Sequence, residues 1–383
     1  MFDYIIVGAG FAGAVMADNI ARQLNKKVLI IEKRNHIAGN CHDFKDENNI
    51  LIHKYGPHLF HTNKKEVVSY LSKFSKWDIY NHKVKAMIDG NIVPIPFNLN
   101  TLYELFPDTL ASKLENKLLT CYEYNTKIPI LELKKSTDID LQFLADYIYD
   151  KIFVNYTAKQ WGMKPEEMDS AVTARVPIFI GRDNRYFNDI YQLIPSQGYT
   201  KLFESMLAHT NIKLMLNTNF HDVCHIKNNK VYFLDREFNG KLIYTGQLDE
   251  LFEYKFGNLP YRSVQMKFET VDTEYYQEVA TINYPNNYDF TRITEFKHIH
   301  FIESAKSTIL KEYPEKYVVN KNTPYYPIFT DESKKRHEQY IEYSKNFKNL
   351  ILLGRLAEYK YYDMDDIVER ALEVFEREIK NNG

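Results

Sequence analysis

Apolar and polar positions follow two different rhythms near the start of the chain. Asp3-Tyr4-Ile5-Ile6-Val7 reads as a short buried strand, and Gly8-Ala9-Gly10-Phe11-Ala12-Gly13 follows it. Ala12, Val15, Met16 and Ile20 then recur at helical spacing up to Arg22. Lys27 to Ile31 is a second apolar strand, ending at Glu32, and the three pieces make a βαβ unit of about thirty residues. Further on, Val84–Ile88 and Asn91–Ile95 flank Asp89-Gly90, a dipeptide suited to a left-handed two-residue hairpin turn. From about Leu99 to Phe153 the period is helical: Leu102, Leu105 and Phe106 begin it, and Phe143, Leu144, Tyr147, Ile148 and Ile152 close it.

Strands return beyond Pro195. Val231–Phe238 and Lys241–Tyr244 flank Asn239-Gly240, which predicts a second hairpin. Val264, Met266 and Phe268 alternate as a half-buried strand does. Leu350–Leu353 is a buried strand, and Ile367, Val368, Ala371, Leu372, Phe375 and Ile379 form one apolar helical face. Asp363, Asp365 and Asp366 stand where the N-cap and first-turn acids of that helix belong.

These elements predict an α/β protein. A Rossmann-like domain, discontinuous in sequence, is expected from 1–74, 195–230 and 346–383. A small helical domain is expected over 98–165, and a mainly antiparallel β-sheet domain over 75–97, 166–194 and 231–345. A length of 383 residues is too great for one compact core, which agrees with several domains. The net charge of −2 with no long basic run argues against a nucleic-acid partner. No apolar stretch approaches the roughly 18–20 residues of a membrane span, and Asp3 interrupts any signal-peptide reading. Cys41, Cys121 and Cys224 are sparse and far apart, so the expected compartment is the reducing cytoplasm.

The glycine string has the context a dinucleotide grip requires, a strand before it, a helix after it, and an acid about twenty residues on. Gly8 allows the tight turn, Gly10 lets the backbone approach a pyrophosphate, and Gly13 lets helix and strand pack closely. Glu32 is placed to accept from the adenosine ribose hydroxyls. Glu32-Lys33-Arg34 leads into His36-Ile37-Ala38-Gly39-Asn40, which resembles the FAD-wrapping stretch of two-dinucleotide-binding-domain flavoproteins. Ala38 stands where many of them carry a glycine, a departure that alanine fills if φ is negative. Leu353-Gly354-Arg355, running on to the capped helix at Asp363, aims a helix N-terminus at a flavin ring, so FAD is expected over NAD.

Five longer segments carry a more specific resemblance. They are Lys54-Tyr55-Gly56-Pro57-His58-Leu59-Phe60-His61-Thr62, Asn155-Tyr156-Thr157-Ala158-Lys159-Gln160-Trp161-Gly162, Gly198-Tyr199-Thr200-Lys201-Leu202, Pro324-Tyr325-Tyr326-Pro327 and the run from Gly354 to Met364. Together they resemble bacterial UDP-galactopyranose mutase, in that family's order and over essentially the whole chain. The resemblance implies an isomerase that interconverts UDP-galactopyranose and UDP-galactofuranose without net redox change. It implies reduced FAD, whose N5 attacks the anomeric carbon while UDP leaves.

The same resemblance assigns residues. Arg175 and Arg292 match the two diphosphate arginines, and with His58, which lies against the isoalloxazine, they are the expected catalytic set. Tyr186, Tyr326 and Tyr361 match tyrosines that donate to the phosphates. Tyr156 takes the uridine-stacking position with Phe153 one turn earlier, Trp161 matches a lid tryptophan, and Asn283 joins the substrate pocket. Residues 163–188, rich in charge and broken by Pro165, Pro177 and Gly181, are the expected mobile lid. The cofactor set is Gly8, Gly10, Phe11, Ala12, Gly13, Glu32, Lys33, Gly39, Asn40, Gly56, His58, Leu59, Gly354, Arg355, Tyr361, Asp363 and Met364.

No metal is expected, because His58 and His61, three apart, lack an acid cluster. The expected partners are the UDP-sugar, an external reductant for the flavin such as NAD(P)H or a reductase, and a second copy of the chain, since the family forms homodimers. Three alternatives stay open at this point: the same chemistry on UDP-N-acetylgalactosamine, an amine-oxidase-type flavin oxidoreductase, and a non-catalytic dinucleotide-binding module.

Overall fold

The computed structural model describes residues 2–156, 159 and 177–380. Its first layer is a five-stranded parallel sheet in the order Ile212–Met215, Val28–Ile31, Tyr4–Val7, Lys241–Tyr244, Leu350–Leu352. Parallel sheets need cover on both faces, and the strands here are apolar on both. Ile6, Val28, Ile30 and Ile243 pack with the helix Phe11–Leu24 and the last helix, Met364–Val374. Ile5, Leu29, Ile31, Leu242 and Tyr244 form a second core with Phe252, Tyr261 and Tyr340 on the other face.

A larger sheet stands beside it. Its order is Tyr326–Pro327, Tyr261–Val271, Ser307–Lys316, Arg292–Glu295, Thr281–Asn283, Val84–Ile88, Asn91–Ile95. Every pair is antiparallel except Thr281–Asn283 with Val84–Ile88. The hairpin at Asp89-Gly90 is as expected, with Asp89 at φ 48° and Gly90 at φ 89°. Helices Leu99–Leu105, Asp108–Cys121 and Ile139–Ile148 cover this end, sharing a core with Val84, Ala86 and Ile95.

The second expected hairpin is absent. Lys241–Tyr244 does not fold back on Val231; it lies in the parallel sheet beside Tyr4–Val7, which takes it out of the antiparallel segment expected over 231–345. Val231 pairs instead with Ile226 across the turn at Asn228 and Asn229. Gly240 is required for another reason: a Cβ there would stand 2.2 Å from the Asp3 carbonyl oxygen.

Candidate active site

The first strand ends at Gly8, and the helix starting at Phe11 has Gly10 as N-cap, with no side-chain cap and no acid in its first turn. Its leading N–H groups are therefore free of local carboxylates that would compete with a bound anion. Added Cβ atoms show how tight the grip is. One on Gly13 would meet the Gly8 carbonyl oxygen at 2.0 Å, and one on Gly39 would meet Gly10 Cα at 2.9 Å. Glu32 is buried, and its two oxygens accept from the Ala9 and Arg34 N–H groups, each at 2.9 Å. Gly8, Gly10, Glu32, Lys33, Gly39 and Asn40 line a cavity of about 170 Å³ with Thr218 and Asn219. Phe11 turns its ring to the core, 4.6 Å from Phe203, and Ala12 is buried, so these two offer a ligand backbone only.

Ala38 departs from expectation. Its φ is +73°, the left-handed region, where an alanine Cβ is strained. The position is fixed by its N–H, which donates to the Ala9 carbonyl at 2.9 Å.

Asn40 also lines a second, larger cavity of about 510 Å³. Two elements with glycine-permitted turns form one wall: the loop Gly56, Pro57, His58, Leu59, and the segment carrying Arg355, Tyr361, Asp363 and Met364. Gly354 has φ +106°, and its N–H donates to Glu358 Oε2 at 2.9 Å, turning the chain toward the last helix. There Asp366 accepts the Asp363 N–H at 3.2 Å and pairs with Lys64 at 2.7 Å. The residues present thus fit an extended dinucleotide. The Gly-rich turn would hold one end, and the His58 loop with the N-terminus of the last helix would hold the other.

Arg355 and Tyr361 also belong to a cationic, tyrosine-rich part of the lining, shared with Tyr326, Arg262 and Arg292. Tyr326 and Tyr361 stack with centroids 5.0 Å apart, and the Arg262 and Arg355 guanidiniums lie 4.4 and 4.6 Å from the Tyr326 ring centroid. Arg292 Nε stands 3.0 Å from the buried Glu312 carboxylate. Burial works against the Arg292 charge, but Glu312 and the neighbouring tyrosines outweigh it and hold the guanidinium protonated. At Tyr326 burial pushes the phenol up, yet Arg355, Arg262 and Arg292 together bring it below its ordinary value. The local field therefore favours negative charge.

Phe153, Tyr156, Tyr186 and Asn283 complete the cavity toward the helical layer. Asn283 Oδ1, Thr281 Oγ1 and Glu312 Oε1 are buried there with no hydrogen-bond partner among the described residues. Buried polar atoms are normally paired, so such a cluster marks a place where a polar ligand completes the bonding. His58 lines the wall with Nδ1 2.8 Å from the Gly56 carbonyl oxygen, and burial lowers its pKa to about 4, so the ring is neutral. Trp161, Arg175 and residues 163–176 of the expected lid lie outside the described residues.

Several lining residues escaped the sequence reading. Arg262, Glu312 and His82 lie on strands or loops with no motif around them. His61, which also lines the cavity, stacks on Phe187 at 3.6 Å and holds the Asp189 carboxylate at 3.0 Å. Period-two alternation on Tyr261–Val271 could have flagged Arg262, a charge at an inward position. Among the described residues no group of His, Cys, Asp or Glu is arranged to hold a metal ion.

Fold and cavity together define a Rossmann-type dinucleotide-binding protein with a second, cationic cavity. A family model for UDP-galactopyranose mutase matches residues 151–361, and one for an NAD(P)-binding Rossmann-like domain matches residues 6–74. A probable UDP-galactopyranose mutase of Klebsiella pneumoniae is 34% identical, covering 96% of this chain and 92% of its own. The UDP-galactopyranose mutase of Mycoplasma genitalium is 35% identical over the same shares. A dTDP-fucopyranose mutase of Escherichia coli is 32% identical, covering 99% of this chain and 98% of its own. In fold, the chain is similar to the crystal structure of a reduced UDP-galactopyranose mutase. The TM-score is 0.73 at 14% identity, over 100% of this chain and 94% of that one. A putrescine oxidase variant is similar in fold at a TM-score of 0.58 and 12% identity, over 98% and 99% of the two chains. The chain belongs to the UDP-galactopyranose mutase family: it is an isomerase of the class that contracts the ring of a nucleotide sugar.

Proposed function

We propose that this enzyme converts UDP-galactopyranose to UDP-galactofuranose, reversibly and without net oxidation, using reduced FAD. The observation that carries the reading is the convergence of Arg262, Arg292 and Arg355 around Tyr326 beside the His58 loop. A departing nucleoside diphosphate carries its charge away from the anomeric carbon, and preorganised cations in a walled cavity stabilise that charge as it develops. Reduced FAD, held by the Gly-rich turn, Glu32 and the segment Arg355 to Met364, would supply the nucleophile.

The chain's own groups do the rest. Arg292 and Tyr326 bind the diphosphate, joined by Tyr186, Tyr361 and Arg175. Phe153 and Tyr156 hold the base, and the resemblance adds Trp161 to the same role. His58, held neutral by burial, orients the sugar at the flavin face. A cellular reductant keeps the flavin reduced, and the enzyme works in the cytoplasm as a homodimer.

The E. coli relative, matched over nearly its whole length, makes dTDP-fucopyranose the second substrate to weigh. The test is an anaerobic assay of the purified protein with and without dithionite, offering UDP-galactofuranose, dTDP-fucopyranose and UDP-N-acetylgalactosamine. Conversion of the UDP-galactose pair only after reduction is the expected result. Equal turnover with oxidised flavin would overturn the mechanism, and preference for either other sugar would overturn the substrate.

A further inference from the structure

His58 reaches the cavity from a loop between the strands Leu51–His53 and Phe60–Thr62. Two hydrogen bonds fix it. Its Nδ1 faces the Gly56 carbonyl oxygen at 2.8 Å; a carbonyl only accepts, so Nδ1 carries the proton and Nε2 is bare. Its backbone N–H donates to His53 Nδ1 at 3.0 Å. That nitrogen is therefore an acceptor, and the proton of a neutral His53 sits on Nε2. Next in line is His300, whose Nε2 lies 3.0 Å from His53 Nε2. Two ring nitrogens bond only when one is bare, so His300 accepts through Nε2 and keeps its own proton on Nδ1. The three rings admit one consistent placement of protons.

The surroundings support that placement. His53 is fully buried, edge-on to Tyr199 at 5.7 Å and tilted against Phe296 at 5.6 Å. Burial lowers the pKa of His53, and lowers His58 and His300 to about 4; Asp78, which faces His300, acts weakly in the opposite sense. All three rings are neutral near pH 7. His300 ends the turn Lys297–His300, directly after the strand Arg292–Glu295 that carries Arg292. The His53–His300 bond thus ties the sheet bearing the diphosphate arginine to the loop bearing His58. Neither His53 nor His300 lines the cavity.

We propose that His300 is a positioning residue of this site. Through His53 it anchors the His58 amide, and so holds the bare Nε2 of His58 at a fixed place in the cavity. The anchoring role rests on the cavity being the site described above, whichever nucleotide sugar it takes. Simple packing makes a different demand. A core contact needs only volume at position 300, whereas the relay needs a hydrogen-bond acceptor where His300 Nε2 stands.

His300→Met keeps most of the volume and removes the acceptor; His300→Gln puts a carbonyl oxygen near the Nε2 position. Hydrogen exchange of the His58 amide should quicken at least about ten-fold in the Met variant and return to within about three-fold of the original in the Gln variant. In the reduced enzyme, kcat should fall in His300→Met with KM changed less than about two-fold, and His300→Gln should rescue it. Unchanged exchange in the Met variant, or equal impairment of the two variants, would overturn the proposal. Should His300→Met fail to fold, long-range ¹⁵N spectra of histidine-labelled unmutated protein decide it. Protons on His53 Nε2 and His300 Nδ1 are expected, and the reverse tautomers overturn it. The exchange and tautomer readouts need no substrate, so they stand apart from any failure of the mutase reading.

Discussion

Arg292 keeps its charge in a place where burial alone would weaken it, because Glu312 lies against its Nε. Its planar fork can meet two phosphate oxygens, which a lysine ammonium cannot do with the same geometry. Arg292→Lys is therefore expected to lower kcat/KM by about 10²-fold, the scale of losing one preorganised donor to developing negative charge. Steady-state kinetics of the reduced enzyme checks this, and a variant within a few-fold of the original would remove Arg292 from the diphosphate site. Ala38 poses a problem of backbone. Left-handed alanine costs roughly 1–2 kcal/mol, while glycine there gives back about 0.4–1 kcal/mol in unfolded-chain entropy. Ala38→Gly should accordingly stabilise the protein by up to about 1 kcal/mol, read as a higher urea midpoint with an unchanged slope. A loss of stability would show that the Ala38 methyl, which is buried, contributes packing that outweighs the strain.

At the scale of elements, what the sequence made legible was local. The βαβ unit, the Asp89-Gly90 hairpin and the capped last helix each depend on residues close together in the chain, and each forms. Asn239-Gly240 carries a turn signal of equal quality and is not a hairpin. The competing demand comes from Tyr4–Val7, whose parallel pairing with Lys241–Tyr244 is invisible to a local pattern. The site divides in the same way. Gly8, Glu32, His58 and Tyr326 sit in motifs, whereas Arg262, His82, Glu312 and the His53–His300 pair meet only through tertiary folding. Gly13 shows how strongly a motif can constrain one element. Its added Cβ would lie 2.0 Å from the Gly8 carbonyl, so Gly13→Ala must push the helix Phe11–Leu24 off the first strand. The expected outcome is loss of FAD from the purified protein, seen as missing absorbance near 450 nm, with the remaining fold destabilised by about 1–3 kcal/mol. Full flavin content in that variant would mean the helix start does not bind the pyrophosphate.

The whole molecule responds to pH through histidines that its separate parts bury together. His42 beside the nucleotide grip, His58 in its loop, His82 in the cavity wall and His300 behind it are each held neutral mainly by burial. Their pKa values fall to about 4, 4, 3 and 4. In the unfolded chain the same groups titrate near their ordinary value of about 6.5. Between those limits the unfolded state binds more protons than the folded one, so stability rises with pH across the window and is lost as pH falls through it. The burial of Asp249 works the other way. Its carboxyl is raised to about 6, and Asp43 and Asp365 are raised as well, so the folded state takes up those protons first and gains some stability on acidification. His58, His82 and His300, all deeply buried, outweigh these acids, while the half-exposed His42 contributes less because solvent screens it. Unfolding free energy at saturating FAD should therefore drop by on the order of 3–5 kcal/mol between pH 7.5 and pH 5. Urea melts at the two pH values measure it. His82→Gln, which leaves a polar group but no titrating one, should flatten the dependence in part. A midpoint that stays level or rises on acidification would mean that these rings take up protons in the folded protein too readily to outweigh the acids.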